Sequence, residues 1–341
     1  MPTLLPGLPA AHGPLMVSGF LGTVIGLERA VALGRRWTYA APALSGLGAL
    51  ALLAGLFAPV PALLMTLSSM ALTAASLTVV RLQPAMFTWT MSLGAATWLV
   101  GNVLWLVGRP LFDVALWWIG FPTLTIAGER LQLSRLLPTS GRRVSFLIAT
   151  SFFLAGAVTA ATGLAAISGQ LAWRLAGAGM LGLAIWLIRF DIARRTVREP
   201  GLRRFIAVCM LSGYGWLGIA GLLALVWGTL TPGPRYDALL HAVFLGFVFA
   251  MIFGHAPIIV PAISGRSVPF RRSFYGHLLL LHVSLVIRLA GDLAGWPEGR
   301  SWGGLLNAIA IVLFALSTAR AVIVGDRRVT DRGDRESPCL D

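Results

Sequence analysis

The chain has 341 residues, of which 57% are hydrophobic and only 12% are charged. Because an ordinary soluble domain carries about 25% charged residues, this composition excludes a soluble protein and predicts an all-α integral membrane protein. The formal net charge is +14, and all 27 basic residues are arginines. They lie in short loops between apolar segments, so we expect the lipid bilayer, and no nucleic acid, as the partner.

Apolar windows of about 20 residues predict eleven transmembrane helices. In chain order the windows are residues 13–33, 38–58, 60–80, 86–107, 112–132, 145–168, 171–189, 205–228, 237–264, 274–292 and 302–324. The ninth window is long, and Pro257 and Pro261 predict a kink or a break within it. That window and the apolar N-terminal residues leave room for a twelfth, re-entrant segment.

The arginines indicate how the predicted helices are oriented. Connections after odd-numbered helices, together with the tail, carry 22 of the 27 arginines. Since cytoplasmic loops are enriched in basic residues, we expect a bacterial cytoplasmic (inner) membrane protein with its N-terminus outside and its C-terminus in the cytoplasm. Residues 1–12 are then an outer segment, residues 13–324 a single transmembrane domain, and residues 325–341 a disordered cytoplasmic tail.

The first, fifth and ninth predicted helices share a pattern that indicates an internal repeat. In each, a Gly-Phe pair is followed, nine residues after its glycine, by an ionisable residue: Gly19-Phe20 by Glu28, Gly120-Phe121 by Glu129, and Gly246-Phe247 by His255. We predict three four-helix units at residues 13–107, 112–228 and 237–324, the last without its final helix. Chance is the alternative, because glycine and phenylalanine are common in this chain. Such a pseudo-threefold arrangement resembles the architecture of haem-copper oxidase catalytic subunits.

Ionisable side chains at membrane depth are costly, so the few present here are candidates for function. His12 and His241 begin the first and ninth predicted helices and form a candidate outer layer of cofactor-binding residues. The candidate metal ligands of an inner layer are His255, His282 (with His277 as its alternative), Glu28 and Glu129. Neutral imidazole ligates haem iron, copper and zinc, whereas a mixed His/Glu set suits non-haem iron or copper.

Each of these candidates also has a purely structural interpretation. His12 could lie among the lipid headgroups, and His241 or His255 could bond to backbone carbonyls inside the bundle. The two Glu-Arg pairs that contain Glu28 and Glu129 could snorkel to the interface or pair with each other.

On a regular helix, His241 and His255 would lie about 40° apart around the axis and roughly 21 Å apart along it, and so on one face.

Two arginines within or near the predicted helices have more than one candidate partner. Arg174 and Arg288 could each neutralise a carboxylate or the propionates of a haem on the outer side. Asp113 and Asp237 are the candidate carboxylates, at the outer ends of the fifth and ninth helices. The sequence leaves the pairing open.

Two segments resemble NnrS family proteins. The stretch from His12 through Met16 to Gly19-Phe20 is similar to the His-x-x-x-Met-x-x-Gly-Phe pattern at that family's first helix. His241-Ala242, followed by Gly246, Met251-Ile252, Gly254 and Gly265-Arg266, is similar to the family's C-terminal histidine helix at the same spacings.

The resemblance implies a multi-pass membrane protein associated with haem and/or copper and with the bacterial response to nitric oxide. By position it implies that His12 and His241 bind the cofactor. The family has further histidines where this chain has Pro14 and Ile263, and it usually has twelve spans, so we expect a different metal set here. The leading hypothesis is a haem- and/or copper-binding protein that binds or responds to nitric oxide. No catalytic residue is assigned.

Two other functions fit the same sequence. Repeated helix units, a proline-interrupted helix and midplane polar residues such as Asn102 and His255 are features of a secondary transporter. The third hypothesis is a structural or assembly subunit of a respiratory complex, in which the histidines serve only packing. A transporter would purify colourless and free of metal.

Overall fold

The computed structural model describes residues 8–57, 59–133, 141–161, 167–228 and 231–333, and it is helical with no strand in those ranges. Nine helices of the described residues are long and apolar enough to cross a membrane. The protein is therefore a helical membrane protein, and the prediction from composition is confirmed. The chain forms two compact units, Met1–Gly179 with Leu225–Thr229 and Met180–Ala224 with Leu230–Asp341.

The first unit is built from long helices in chain order. These are α1 (residues 8–33, made of Leu8–Pro14, the π-helical Leu15–Leu21 and Gly22–Leu33), α2 (Ala40–Leu53, after a 3-10 turn at Arg36–Tyr39), α3 (Pro59–Leu82), α4 (Met86–Leu106), α5 (Leu111–Leu133), α6 (Arg142–Ala161) and α7 (Ile167–Phe190). Helix α7 passes from the first unit into the second. Helix α5 is the most enclosed of the nine candidate spans, since 83% of its most apolar window is buried, and it forms the core of the first unit.

The second unit contains the remaining helices. They are a single turn at Ala193–Thr196, then α8 (Leu202–Trp227), α9 (Pro234–His241, the π-helical Ala242–Phe249 and Ala250–Ser264), α10 (Phe274–Ala294) and α11 (Pro297–Gly333). Gly34 and Gly265 end α1 and α9 in the left-handed conformation, with φ of 64° and 70°. A side chain would strain the backbone there, which explains why glycine stands at both positions.

A helix overlaps each of the eleven predicted windows, but not every helix meets the membrane-span criteria. Helix α2 has only 14 residues, and α4 is not among the nine spans. The count of eleven spans and the threefold repeat therefore stay predictions. Helix α1 begins at Leu8, inside the predicted outer segment of residues 1–12. Helix α11 continues to Gly333, inside the predicted disordered tail, and residues 334–341 lie outside the described ranges.

Two π-helical segments lie in α1 and α9, at Leu15–Leu21 and Ala242–Phe249. They contain the Gly-Phe pairs at Gly19 and Gly246, whereas the pair at Gly120 lies in regular α-helix. π-helical turns are rare and are frequent at functional sites. Both segments lie within the two motifs that resemble NnrS family proteins.

The hydrogen bonding of helix α9 is irregular, but not at the prolines where the sequence predicted a break. The α-helix runs unbroken over Ala250–Ser264 although Pro257 and Pro261 lie inside it, so of the two predicted alternatives the break is wrong and the kink stays a prediction. The irregularity is instead the π segment upstream, between His241 and His255. Because that segment changes the residue spacing per turn, the regular geometry assumed for a shared face of the two histidines does not hold.

Helix α10 illustrates how the helices face lipid. Its side chains Leu279, Val283 and Val286 are exposed, whereas Leu281 and Leu285 are fully buried. Residues three and four positions apart share one face of a helix, so the exposed residues form a single apolar stripe. In a membrane, such an exposed apolar stripe packs favourably against the acyl chains of the lipids.

Candidate functional site

Charged side chains of the second unit meet where α9 begins, α10 ends and α11 begins. The members of this cluster, here called the Asp237 cluster, are Asp237, His241, Arg288, Asp292 and Arg300. Arg288 Nη2 donates to Asp237 Oδ2 at 2.8 Å, and Arg300 Nη2 lies 3.3 Å from the same oxygen. Arg300 Nε lies 3.0 Å from Asp292 Oδ1. Two arginines and two aspartates thus balance each other's charge.

Two glycines allow α10 and α11 to approach closely enough to form the cluster. A Cβ at Gly303 would lie 2.5 Å from the backbone nitrogen of Arg288. At Gly291 it would lie 2.3 Å from the backbone nitrogen of Arg300. Any side chain would separate the two helices, so these glycines position Arg300 beside the carboxylates of α9 and α10.

His241 and His255 make the same local hydrogen bond. His241 Nδ1 lies 2.8 Å from the backbone oxygen of Asp237, and His255 Nδ1 lies 2.7 Å from that of Met251. A carbonyl accepts only, so Nδ1 carries the proton and Nε2 carries the lone pair of the neutral ring. His241 Nδ1 also lies 3.3 Å from Asp237 Oδ1. Metal-ligating histidines commonly have such a carbonyl or carboxylate partner.

His282 has a different environment. Trp216 Nε1 donates to His282 Nδ1 at 3.0 Å, and His282 Nε2 lies 2.9 Å from Ser212 Oγ. Because an indole only donates, Nε2 carries the proton and donates to Ser212. Both ring nitrogens therefore take part in hydrogen bonds within the second unit, and ligation of a metal by His282 would replace one of them.

His12 lies on α1 of the first unit, just before the π segment. Its side chain is exposed, and so is Met16 one turn later, which is 39% exposed. The two side chains share one helix face because they are four residues apart. An imidazole and a thioether on one face are ligand types that suit copper.

The other predicted ligands in the first unit are Glu28 on α1 and Glu129 on α5. Both carboxylates are half-buried and lie within electrostatic range of each other and of Arg29 and Arg130. The two Glu-Arg pairs therefore form one charge-balanced group. In the part of the chain that the structure describes, no group of three or more His, Cys, Asp or Glu is placed to hold a metal ion.

A buried network of uncharged polar groups lies in the core of the first unit. The Asn102 side chain donates from Nδ2 to the Met65 carbonyl at 2.9 Å, and its Oδ1 accepts from Ser18 Oγ at 2.8 Å and from Trp118 Nε1 at 3.0 Å. Trp98 Nε1 donates to Ser18 Oγ at 3.0 Å. These partners belong to α1, α3, α4 and α5, so the Asn102 network connects four helices.

Hydroxyl groups also bond to the π segment of α1. Ser45 Oγ of α2 donates to the Ser18 carbonyl, and Thr23 Oγ1 donates to the Gly19 carbonyl at 2.6 Å. A π turn shifts the normal backbone pairing, and a hydroxyl that bonds to a carbonyl there compensates for that shift.

The structure answers one pairing question and adds residues that the sequence interpretation missed. Arg288 pairs with Asp237, as one of the alternatives predicted, whereas Asp113 pairs with Arg109 at 3.1 Å. Asp292 was not among the candidates. Its signal in the sequence is its position four residues after Arg288 on a single predicted helix, where opposite charges lie on one face.

The comparisons with known proteins give a family. Its model, described as "Domain of unknown function (DUF8744)", matches residues 1–323. The chain belongs to the DUF8744 family. No curated protein and no solved structure matches it. The Asp237 cluster, the Asn102 network and both π segments lie within the region that the DUF8744 model covers.

Proposed function

We propose that this DUF8744 protein binds haem and/or copper in the membrane and that the bound metal binds or responds to nitric oxide. The observation that carries the proposal is the orientation of His241 by Asp237. The backbone oxygen and the carboxylate of Asp237 both lie near Nδ1, at 2.8 Å and 3.3 Å. This arrangement fixes the tautomer and increases the basicity of Nε2, the nitrogen that ligates a metal.

The residues around His241 are chemically suited to haem. A haem needs only one or two protein ligands, because the porphyrin supplies four, so histidines that stand singly are sufficient. Its propionates need hydrogen-bond donors, and Arg288 and Arg300 contact the same carboxylate as His241, although Asp237 and Asp292 already balance their charge. Arg288 Nε is buried and has no hydrogen-bond partner among the described residues, so it retains a donor for a carboxylate. When bound, haem iron would supply the chemistry that binds nitric oxide, and His241 would hold it.

The other predicted ligands have the following roles in the proposal, within each of the two units. His255 shares the Nδ1-to-carbonyl geometry of His241 and is a second candidate ligand of the second unit. His12, with Met16 beside it, is the candidate ligand of the first unit. Glu28 and Glu129 are candidate ligands of a non-haem metal. His282 is either a metal ligand or a structural residue that accepts the hydrogen bond of Trp216. The resemblance to NnrS proteins supports the same function.

The membrane orientation belongs to this proposal. The arginine distribution favours an inner-membrane protein with its N-terminus outside, so the Asp237 cluster would lie near the outer face. Nitric oxide is small and apolar and crosses lipid freely, so a metal at that depth is accessible to it.

The visible spectrum and the metal content of the purified protein test the proposal. We expect a Soret band and stoichiometric iron in protein from haem-replete cells, and shifted bands after nitric oxide is added to the dithionite-reduced form. His241→Ala should lose the cofactor, whereas His277→Gln, a histidine outside the proposed set, should retain it. A colourless, metal-free preparation from cells replete in haem and copper would reject the proposal.

A secondary transporter is the second candidate function, and the π segments of α1 and α9 favour it. Interrupted helices in corresponding positions of a repeat commonly surround a substrate site. Under this alternative, the purified protein is colourless, and substitutions in either π segment abolish uptake without changing any spectrum.

A further inference from the structure

A cavity of about 400 Å³ lies in the second unit between the start of α10 and residues 313–320 of α11. Its polar lining consists of Arg271, Ser273, His277, Ser317 and Arg320. None of these residues belongs to the Asp237 cluster, which lies at the opposite end of α10. The lining combines two cations with two hydroxyls and an imidazole, and no described carboxylate belongs to it.

The imidazole of His277 is buried, and one of its ring nitrogens has no hydrogen-bond partner among the described residues. The side chain is only 5% exposed, and Phe253 and Phe314 surround its ring at centroid distances of 5.0 Å and 5.5 Å. Its Nδ1 lies 3.3 Å from Ser317 Oγ. Its Nε2 is buried and has no hydrogen-bond partner within the described residues. A buried polar atom of this kind is costly unless a ligand or water satisfies it.

The two arginines of the cavity are not neutralised by the described side chains. No carboxylate within the described ranges forms an ion pair with Arg271 or Arg320, in contrast to Arg288 and Arg300. A guanidinium presents several donors in a fixed planar arrangement that matches phosphate oxygens. The lining hydroxyls complete a set that suits an anion with several oxygen acceptors, which is the chemistry of a phosphate group.

The apolar part of the lining indicates where that phosphate comes from. Leu313 and Leu316 line the same cavity and are 45% and 61% exposed. They lie within one turn of Ser317, so the cationic pocket is continuous with an apolar face of α11. A free phosphate ion gains nothing from such a face, whereas the acyl chains of a phospholipid pack against it.

We propose that this cavity binds the phosphate headgroup of an anionic phospholipid, with the acyl chains along Leu313 and Leu316. Arg271 and Arg320 bind the phosphate oxygens, and the exposed Ser273 hydroxyl donates a further hydrogen bond. Basic pockets between helices at the membrane surface are a recurrent type of lipid site. The loop before α10 and the end of α11 are on the arginine-rich side, where anionic lipid headgroups attract cations.

Native mass spectrometry of the full chain in neutral detergent, titrated with phosphatidylglycerol and separately with phosphatidylcholine, tests the assignment. We expect one tightly retained phosphatidylglycerol, and binding at least about tenfold weaker in Arg271→Gln/Arg320→Gln, because two charge-assisted hydrogen bonds are lost. The matched control is Arg266→Gln/Arg272→Gln, which removes the same charge from exposed arginines outside the lining. It should bind within twofold of the wild type.

Three outcomes would overturn the proposal. Equal weakening in both double variants would mean that only the total charge matters. Equal retention of both lipids would mean that the headgroup charge is not recognised. Displacement of phosphatidylglycerol by millimolar inorganic phosphate would identify a soluble phosphate as the ligand. Melting temperatures of all variants without lipid verify that each protein is folded, so a loss of binding is not mistaken for unfolding.

Discussion

The Asn102 network of the first unit and the Asp237 cluster of the second bury their polar groups in different ways. In the first, the Asn102 network is uncharged, and the Asn102 side chain has a partner for both its oxygen and its nitrogen. In the second, the Asp237 cluster consists of charged groups, and its buried atoms without a hydrogen-bond partner among the described residues include Arg288 Nε and Asp292 Oδ2. A satisfied network needs nothing more than its own helices, whereas a partly satisfied one retains capacity for a ligand. The difference supports a packing role for the Asn102 network and the proposal that the Asp237 cluster binds a ligand.

The largest expected effect on stability is that of Asn102→Leu. It removes three hydrogen bonds from the side chain to other helices, and interhelical bonds in membranes average about 0.6 kcal/mol each, so we expect a loss of about 2 kcal/mol in the free energy of unfolding. Denaturation in detergent micelles measures it. Thr78→Ala, whose hydroxyl bonds only to its own helix at Ala74, should change stability by less than about 0.5 kcal/mol. Unchanged stability in Asn102→Leu would remove the packing role.

Asp237→Asn should have a smaller effect on stability and a larger effect on the cofactor. The pair with Arg288 is about one-fifth exposed, at 22% and 17%, so solvent reduces the cost of an unpaired arginine to about 1–2 kcal/mol. The cofactor should dissociate faster because His241 loses its carboxylate. Asp113→Asn, which breaks the more exposed pair with Arg109, is the control and should cost below about 0.5 kcal/mol. If both variants retain the cofactor equally, Asp237 does not orient a ligand.

Ser212→Ala should have the smallest effect and tests the role of His282. The substitution removes the acceptor of His282 Nε2–H and should destabilise the protein by about 1 kcal/mol with no change in metal content. Thermal unfolding and metal analysis measure the two quantities. A loss of metal in this variant would instead place His282 among the ligands.

The positions of the helices could be predicted from the sequence, whereas their hydrogen bonding could not. Windows of apolar residues must become helices in a bilayer, because every backbone group there needs an internal partner. The π segments depend on partners from other helices, such as Ser45, which no local pattern of α1 identifies. The shared face of His241 and His255 was predicted for a regular α-helix. The π segment between them makes that prediction fail, and it too could not be identified from the local sequence.

The candidate site was predictable in part. His241, Asp237 and Arg288 each stood out as ionisable residues in apolar surroundings, and one of the proposed pairings is present. Asp292 and Arg300 join the cluster through the close approach of α10 and α11 at Gly291 and Gly303. That approach depends on packing between residues distant in the sequence, so a single sequence does not reveal it.

The most direct test of the central claim is the visible spectrum of reduced His241→Ala, recorded before and after imidazole is added. The account predicts that the substitution removes the Soret band of the wild type and that imidazole, together with haem, restores it, because free imidazole can replace a missing ligand. A structural histidine would not be replaced in this way. A His241→Ala protein that retains the full wild-type spectrum, or a wild-type protein without one, would contradict the account.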